Sequence, residues 1–116
     1  MVSREIPPMR LYFPPKDIDQ IKVYTEEILA SGMLTLGKFT RAFENEFGSF
    51  HQVKHSVAVN SGTSALEIAL RCVGIGNGDE VLVPTNTFSA TVASVLFVGG
   101  KPVLTDVNPN TLCVDA

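Results

Sequence analysis

After His55 the chain alternates between valine-rich runs and apolar helical stretches, a pattern that allows few folds. Valine-rich runs predict three β-strands, at residues 56–60, 80–84 and 102–106. The helical stretches between them cover residues 64–73 and 88–98. The runs show little alternation of polar and apolar residues, which is typical of strands covered on both faces. This order predicts a βαβαβ unit with a parallel sheet, and therefore an α/β fold.

Two helices are predicted before this unit. Four prolines within residues 1–15 indicate an extended N-terminal arm rather than part of the core. A first helix starts at Asp17 and stops at Gly32, a usual C-terminal residue. A second helix carries an aromatic stripe whose spacing is typical of core packing. The stripe consists of Phe39, Phe43, Phe47 and Phe50.

Composition narrows the possible partners. The formal net charge is −3 and the nine Lys and Arg residues are scattered, so no nucleic-acid binding is expected. No stretch approaches the about 18 uninterrupted apolar residues of a membrane span, and the N-terminus lacks a signal-peptide pattern. We therefore expect a cytoplasmic protein without a membrane segment. Cys72 and Cys113 lack the spacing of a disulfide framework or zinc site, which predicts two ordinary small apolar side chains.

The turn at residues 60–64 is the strongest candidate for chemistry, because it joins a predicted strand to a predicted helix. The first N–H groups of a helix have no intrahelical acceptor, and together with the helix dipole they bind anions such as phosphate. Here the donors would be the N–H groups of Gly62, Thr63 and Ser64 and the Thr63 hydroxyl. Gly62 would let a ligand approach the backbone closely.

A second interpretation of this turn is helix capping alone. Ser61 or Ser64 would cap the helix, and Ser64 with Glu67 would form a capping box. Capping is compatible with phosphate binding, so the residues leave both open. The glycines at residues 74–78 follow a helix and precede a strand, which is the wrong order for a dinucleotide fingerprint and predicts a turn.

Two further candidates lie at the carboxyl ends of predicted strands, where open parallel sheets bind ligands. Phe88, among the Thr and Asn residues of the segment 84–91, could be a platform for a flat heterocycle, or simply a core residue at a helix start. Asp106 could be a ligand group, but a cap for the turn at residues 108–111 is the better interpretation.

Several short motifs, taken together, indicate a family. They are Leu34-Thr35-Leu36-Gly37, Val59-Asn60-Ser61-Gly62-Thr63-Ser64-Ala65-Leu66, Gly78-Asp79-Glu80-Val81, Thr87-Phe88-Ser89-Ala90-Thr91 and Gly100-Lys101-Pro102-Val103. In order and spacing they resemble the sugar aminotransferases of the DegT/StrS type, which use pyridoxal phosphate on the fold-type-I aminotransferase scaffold. The resemblance covers roughly residues 30–115. It implies that residues 16–116 are the incomplete N-terminal portion of the large domain of such an enzyme.

The resemblance also implies roles for individual residues and partners. Gly62, Thr63 and Ser64 would bind the phosphate of the cofactor, and Phe88 would stack on its pyridine ring. The substrates would be a nucleotide-linked keto-sugar and an amino donor, expected to be glutamate. The family forms dimers with active sites at the subunit interface, so a homodimer is expected. A partner subunit, or more chain, would cover the helix at residues 64–73, which is apolar on nearly all sides.

The resemblance implies that the Schiff-base lysine lies beyond residue 116, because none of the five lysines has the family's surrounding motif. The chain alone is therefore expected to be inactive. A sugar dehydratase of the same scaffold, with a histidine replacing the lysine, is an alternative. A non-catalytic truncated module that binds a partner through its sheet edge and apolar helix is another.

Overall fold

A computed structural model describes residues 9–114 of the chain. The chain divides into an N-terminal unit that ends at Val57 and a C-terminal unit that begins at Ala58. The elements are α1 (Pro15–Ser31), α2 (Lys38–Phe50), α3 (Gly62–Cys72), β1 (Glu80–Pro84), α4 (Ser89–Phe97) and β2 (Lys101–Thr105). The two leading helices and the α/β class are as predicted.

The two ends of α1 have different causes. The helix begins with Pro15, whose fixed φ suits the first helical turn and whose missing N–H needs no acceptor there. It ends at Gly32, which has a φ of 68° and donates its N–H to the Leu29 carbonyl. The predicted stop is therefore confirmed. Of the predicted arm, residues 1–8 lie outside the described residues, and residues 9–14 form no helix or strand. Pro15 already belongs to α1, so the helix begins two residues before the predicted start at Asp17.

The aromatic stripe of α2 is not a core within the described residues. Phe39 is half-buried and packs on Tyr24 of α1, with ring centroids 4.6 Å apart. Phe43, Phe47 and Phe50 remain exposed, and Phe50 is 82% accessible. Regular spacing shows that one face of a helix is apolar, but it does not identify what covers that face. The prediction of core packing was wrong for these three rings in the described structure.

The C-terminal unit contains a two-stranded parallel sheet in which β1 pairs with β2 from Glu80↔Lys101 to Pro84↔Thr105. The helix α4 connects the strands and packs on both of them and on α3. The most buried side chains in the described residues come from β1 and from α4 and its end. They are Val83, Ser94, Val95 and Val98.

The strand predicted at residues 56–60 is absent from the described structure. The sheet contains β1 and β2 alone, and Val57 is 78% exposed. Valine-rich composition expresses a preference for a covered, pleated surface. A strand forms only where a neighbouring strand supplies a hydrogen-bonded ladder, and the described residues contain no such ladder at this position. The predicted βαβαβ unit is therefore observed as α3–β1–α4–β2.

The turn predicted at residues 74–78 is confirmed. Gly74 and Gly78 have φ values of 86° and 96°, which only glycine adopts at little cost. The Asp79 carboxylate accepts the Gly76 N–H at 2.9 Å and closes the turn before β1. Among the described residues, no helix is both long enough and apolar enough to cross a bilayer.

Candidate functional site

The start of α3 is built around Ser61, the residue before the first helical turn. Ser61 has an extended backbone, and its Oγ accepts the Ser64 N–H at 3.2 Å. Its carbonyl accepts the Ala65 N–H at 3.1 Å, which is the first intrahelical bond. Ser61 is therefore the N-cap, one of the two caps predicted.

The capping box predicted for Ser64 and Glu67 does not form. Ser64 is the third residue of α3 and already lies inside the helix, so it cannot cap it. The Glu67 carboxylate instead pairs with Arg71 one turn later, at 3.0 Å from Nη2 and 3.3 Å from Nε. This i, i+4 ion pair stabilises the exposed side of α3.

Two backbone donors remain available at the start of α3. Within residues 9–114, the N–H groups of Gly62 and Thr63 donate to no protein acceptor. The Ser64 N–H, by contrast, is engaged by Ser61. The Ser64 hydroxyl donates to Asn60 Oδ1 at 2.9 Å and lies 3.0 Å from Ser61 Oγ. The turn therefore offers two N–H groups beside a cluster of hydroxyl groups, a donor set suited to an anion.

Gly62 leaves open space at this turn. A Cβ built on Gly62 meets no heavy atom within 4 Å. The backbone on that side is therefore open to a ligand, and a side chain would project into the space that the ligand needs. Both properties fit a phosphate group bound against the first turn of α3.

Phe88 stands immediately before α4, with an extended backbone and a ring that is 79% exposed. Its carbonyl accepts the Thr91 N–H at 3.0 Å, so the residue is fixed to the first turn of α4. The hydroxyls of Thr87 and Thr91 lie 2.9 Å apart beside it. Within the described residues the Phe88 ring is therefore not part of the core, and it is available as a stacking surface.

The polar contact between α3 and α4 nearest to these residues comes from Ser94. Its side chain is 0% exposed, and its Oγ lies 2.7 Å from the Ala90 carbonyl and 3.3 Å from the Thr63 carbonyl. It therefore links α4, which follows Phe88, to the turn that contains Gly62 and Thr63. Our sequence interpretation missed Ser94. The available signal was a hydroxyl residue in the otherwise apolar segment 92–97.

The acidic candidate Asp106 follows β2 directly and makes a local bond. Asp106 Oδ1 accepts the Val107 N–H at 2.8 Å. Asn108 Oδ1 accepts the N–H groups of Asn110 and Thr111, at 2.9 and 3.3 Å. The turn at residues 108–111 is therefore capped by Asn108, and the interpretation of Asp106 as its cap was wrong. The two cysteines are free and exposed, and no group of three metal-ligating side chains occurs within the described residues.

Three of the five lysines are bound to carboxylates. Lys22 pairs with Asp19, Lys38 with Glu27, and Lys101 with Glu80. The hydrogen bond and the negative charge of Glu80 raise the pKa of Lys101 above 10.5. An amine that forms a covalent bond to a carbonyl carbon must lose its proton, so this environment is opposite to the one that activates a lysine.

A groove of about 580 Å³ lies within the N-terminal unit, between the end of α1 and the start of α2. Its lining is largely apolar and includes Ile28, Met33, Leu34, Leu36 and Phe39. None of the predicted cofactor residues lines it.

Comparison with known proteins identifies the family of the chain. A model of the DegT/DnrJ/EryC1/StrS aminotransferase family matches residues 15–116. The chain belongs to this family. The resemblance inferred from the motifs is thereby confirmed.

Two curated relatives illustrate the similarity. The spore coat polysaccharide biosynthesis protein SpsC of Bacillus subtilis (strain 168) is 47% identical over 89 residues, which are 77% of this chain and 23% of SpsC. The GDP-perosamine synthase of Caulobacter vibrioides is 38% identical over 112 residues, which are 97% of this chain and 30% of the synthase. The chain thus spans less than a third of the length of either relative.

Solved structures share the fold. NtdA from Bacillus subtilis, with bound cofactor PMP, superimposes with a TM-score of 0.83 at 36% identity, covering 89% of this chain and 24% of NtdA. The PMP form of the sugar aminotransferase Spr1654 from Streptococcus pneumoniae gives 0.80 at 33% identity, covering 95% of this chain and 27% of Spr1654. Spr1654 also has a PLP form. For the family, the predicted cofactor, pyridoxal phosphate, is confirmed.

Proposed function

We propose that this chain supplies the phosphate-binding turn and the ring-stacking residue of a pyridoxal-phosphate-dependent aminotransferase that acts on a nucleotide-linked keto-sugar. The observation that carries the proposal is the start of α3, where the N–H groups of Gly62 and Thr63 are unengaged and Gly62 leaves the approach open. The names of relatives support the substrate class, since one is a GDP-perosamine synthase and another a dTDP-sugar transaminase.

The residues fit a phosphate group for electrostatic reasons. A phosphate monoester carries between one and two negative charges at neutral pH, and the positive end of the α3 dipole offsets this charge. The Ser64 hydroxyl adds a donor once it turns away from Asn60. Ser61 holds the first helical turn in place through its bond to the Ser64 N–H, so the donors are ordered before the ligand arrives.

The Phe88 ring fits the second requirement, which is to hold a flat heterocycle in one plane. An exposed aromatic face, fixed to the start of α4 by the bond from the Thr91 N–H, offers stacking with little loss of conformational freedom. Bound pyridoxal phosphate would supply the electron sink and would carry the amino group between donor and sugar. The residues of this chain would bind and orient it.

We further propose that the lysine that bonds the cofactor lies beyond residue 116, so that the 116-residue chain alone is inactive. The paired states of Lys22, Lys38 and Lys101 support this assignment.

Glutamate is the proposed amino donor. Its support is a relative named 3-oxo-glucose-6-phosphate:glutamate aminotransferase, which is 37% identical over 99 residues.

A cytoplasmic homodimer is the proposed assembly. None of the residues of α3 is buried, and its apolar side chains Leu66 and Ile68 are 42% and 48% exposed. An apolar surface of this kind is favourable to bury against further protein. Sedimentation of the protein as its gene encodes it tests this point, and a monomer at micromolar concentration would contradict it.

The cofactor role of Phe88 is tested by replacing its ring in the protein as its gene encodes it. Phe88→Ala should weaken the binding of pyridoxal phosphate about 2- to 13-fold, because stacking contributes roughly 0.5–1.5 kcal/mol. Phe88→Tyr keeps the aromatic face and should bind as the wild type does. Both variants should melt at the wild-type temperature, since the ring is exposed. Equal affinity for all three proteins would refute the stacking role.

The assignment of the lysine is tested with the 116-residue chain. Borohydride reduction in the presence of pyridoxal phosphate should leave no single lysine labelled stoichiometrically. One specifically labelled lysine would overturn the assignment.

A second experiment distinguishes the aminotransferase from the dehydratase alternative. In the protein as its gene encodes it, an aminotransferase should transfer an amino group from glutamate to a nucleotide-linked keto-sugar. The dehydratase would consume the sugar without transferring nitrogen.

A further inference from the structure

Ser94 is the most completely buried polar side chain among the described residues, and the chemistry proposed above does not use it. Its relative exposure is 0%, in the middle of α4. Its Oγ lies 2.7 Å from the Ala90 carbonyl one turn back and 3.3 Å from the Thr63 carbonyl of α3, so its one hydroxyl proton is shared between the two acceptors. The Ala90 bond alone would satisfy the buried hydroxyl, so the contact with Thr63 across the helix pair is an additional one.

The Thr63 carbonyl is the significant partner because of its position. It belongs to the peptide that joins Thr63 to Ser64, within the first turn of α3. The orientation of a peptide plane fixes both its C=O and its N–H. That plane carries the Ser64 N–H, which donates to Ser61 Oγ. A contact at the Thr63 carbonyl therefore restrains the N-cap bond that orders the first turn, where the N–H groups of Gly62 and Thr63 are unengaged.

We propose that Ser94 is a positioning residue for anion binding at the start of α3. Its hydroxyl holds the Thr63 carbonyl against α4 and so keeps the donors of the turn in their binding orientation. Its small side chain also lets the two helices approach closely at this point. The inference rests on the proposed function, because it concerns the same phosphate-binding turn. Restraint before binding raises affinity by reducing the entropy lost on binding.

A second bond between the same helices provides a matched control. Arg71 Nη2 donates to the Phe97 carbonyl at 3.2 Å, near the C-terminal ends of α3 and α4. Arg71→Gln removes this link and the ion pair to Glu67, but it leaves the first turn of α3 unchanged. Loss of Ser94 and loss of Arg71 should therefore both loosen the helix pair, whereas only the first should affect the anion site.

The experiment compares the wild type, Ser94→Ala, Ser94→Cys and Arg71→Gln in the protein as its gene encodes it. The probes are pyridoxal phosphate and inorganic phosphate, measured by titration calorimetry. Both Ser94 variants should bind each probe about fivefold more weakly, the effect expected for one lost hydrogen bond. Cysteine nearly keeps the volume but is a weak donor, so Ser94→Cys separates bonding from packing if Ser94→Ala fails to fold. Arg71→Gln should bind within twofold of the wild type.

Amide hydrogen exchange gives a readout that does not depend on the cofactor. Without ligand, the Ser94 variants should exchange faster at Ser64 and Ala65, whereas Arg71→Gln should leave these amides protected. Equal affinities and equal exchange in the Ser94 and Arg71 variants would overturn the positioning role while leaving the proposed function intact.

The two ligands that the wild type is tested with distinguish the positioning role of Ser94 from the proposed cofactor function. If it binds phosphate but not pyridoxal phosphate, and Ser94→Ala weakens that binding, the positioning role holds and the proposed cofactor function fails. If it binds neither probe, both proposals fail.

Discussion

The two units of this chain differ in how far they bury their own apolar residues. In the C-terminal unit, Val83, Ser94 and Val95 are at most 1% exposed, and Val98 is nearly as buried. In the described part of the N-terminal unit, residues 9–57, Gly48 alone is buried. The predicted cofactor residues all belong to the unit that has a core. The turn and the ring are therefore built on packed helices, whereas the two leading helices present apolar faces that their own unit does not cover.

The largest expected effect contrasts one aliphatic side chain from each unit. Val95→Ala should lower the free energy of unfolding by about 2 kcal/mol, because two buried methyl groups are lost and a cavity remains. Leu29→Ala should change it by less than about 0.5 kcal/mol, because Leu29 is 66% exposed. Urea denaturation measures both. Equal losses would show that the N-terminal unit is as well packed as the other, and would remove the contrast.

A smaller effect contrasts the buried glycine of each unit. A Cβ on Gly100 would lie 3.1 Å from Val95 Cγ1 and 3.2 Å from Ile75 Cγ2, so Gly100→Ala should cost about 1–2 kcal/mol by overpacking. On Gly48 the nearest atom is Ser56 Oγ at 3.3 Å, and alanine favours the interior of α2 by roughly 0.5–1 kcal/mol. Gly48→Ala should therefore be close to neutral. Thermal melts of the two variants decide this, and a larger loss at Gly48 would reverse the comparison.

The smallest expected effect concerns the ion pair of Lys101 and Glu80, which joins β1 to β2. Because the folded-state pKa of Lys101 is raised above 10.5, its stabilising contribution is complete below pH 10.5 and is lost as the pH rises through the folded pKa. The pair is exposed, so the change should be slight. When the pH is raised from below 10.5 to above it, the melting temperature should fall less for Glu80→Gln than for the wild type. Identical profiles would remove any role for the pair.

Local signals were sufficient for much of this structure. Gly32 predicted the end of α1, the turn after Asn60 predicted the start of α3, and Phe88 was placed correctly at the start of α4. Each of these features depends on the chemistry of a few neighbouring residues, such as a glycine with positive φ or a serine that caps a helix. Features of this kind can be predicted from the local sequence alone.

Features that depend on distant partners were not predictable in the same way. The absent strand at residues 56–60 and the exposed rings of Phe43, Phe47 and Phe50 both concern what lies opposite an apolar run. The contact that gives Ser94 its proposed role joins it to a carbonyl 31 positions away in the chain. Neither periodicity nor composition contains that information.

The register of β1 and β2 has a consequence for the order of folding events. Each of the five pairs, from Glu80↔Lys101 to Pro84↔Thr105, joins residues 21 positions apart. The entropy of closing that loop is therefore lost once, when the first pair forms, and each later pair extends the ladder without closing a new loop. Contacts at this modest separation form quickly relative to pairings between distant parts of a chain. The segment β1–α4–β2 is thus suited to fold early, which would provide the surface on which α3 and its anion-binding turn then pack.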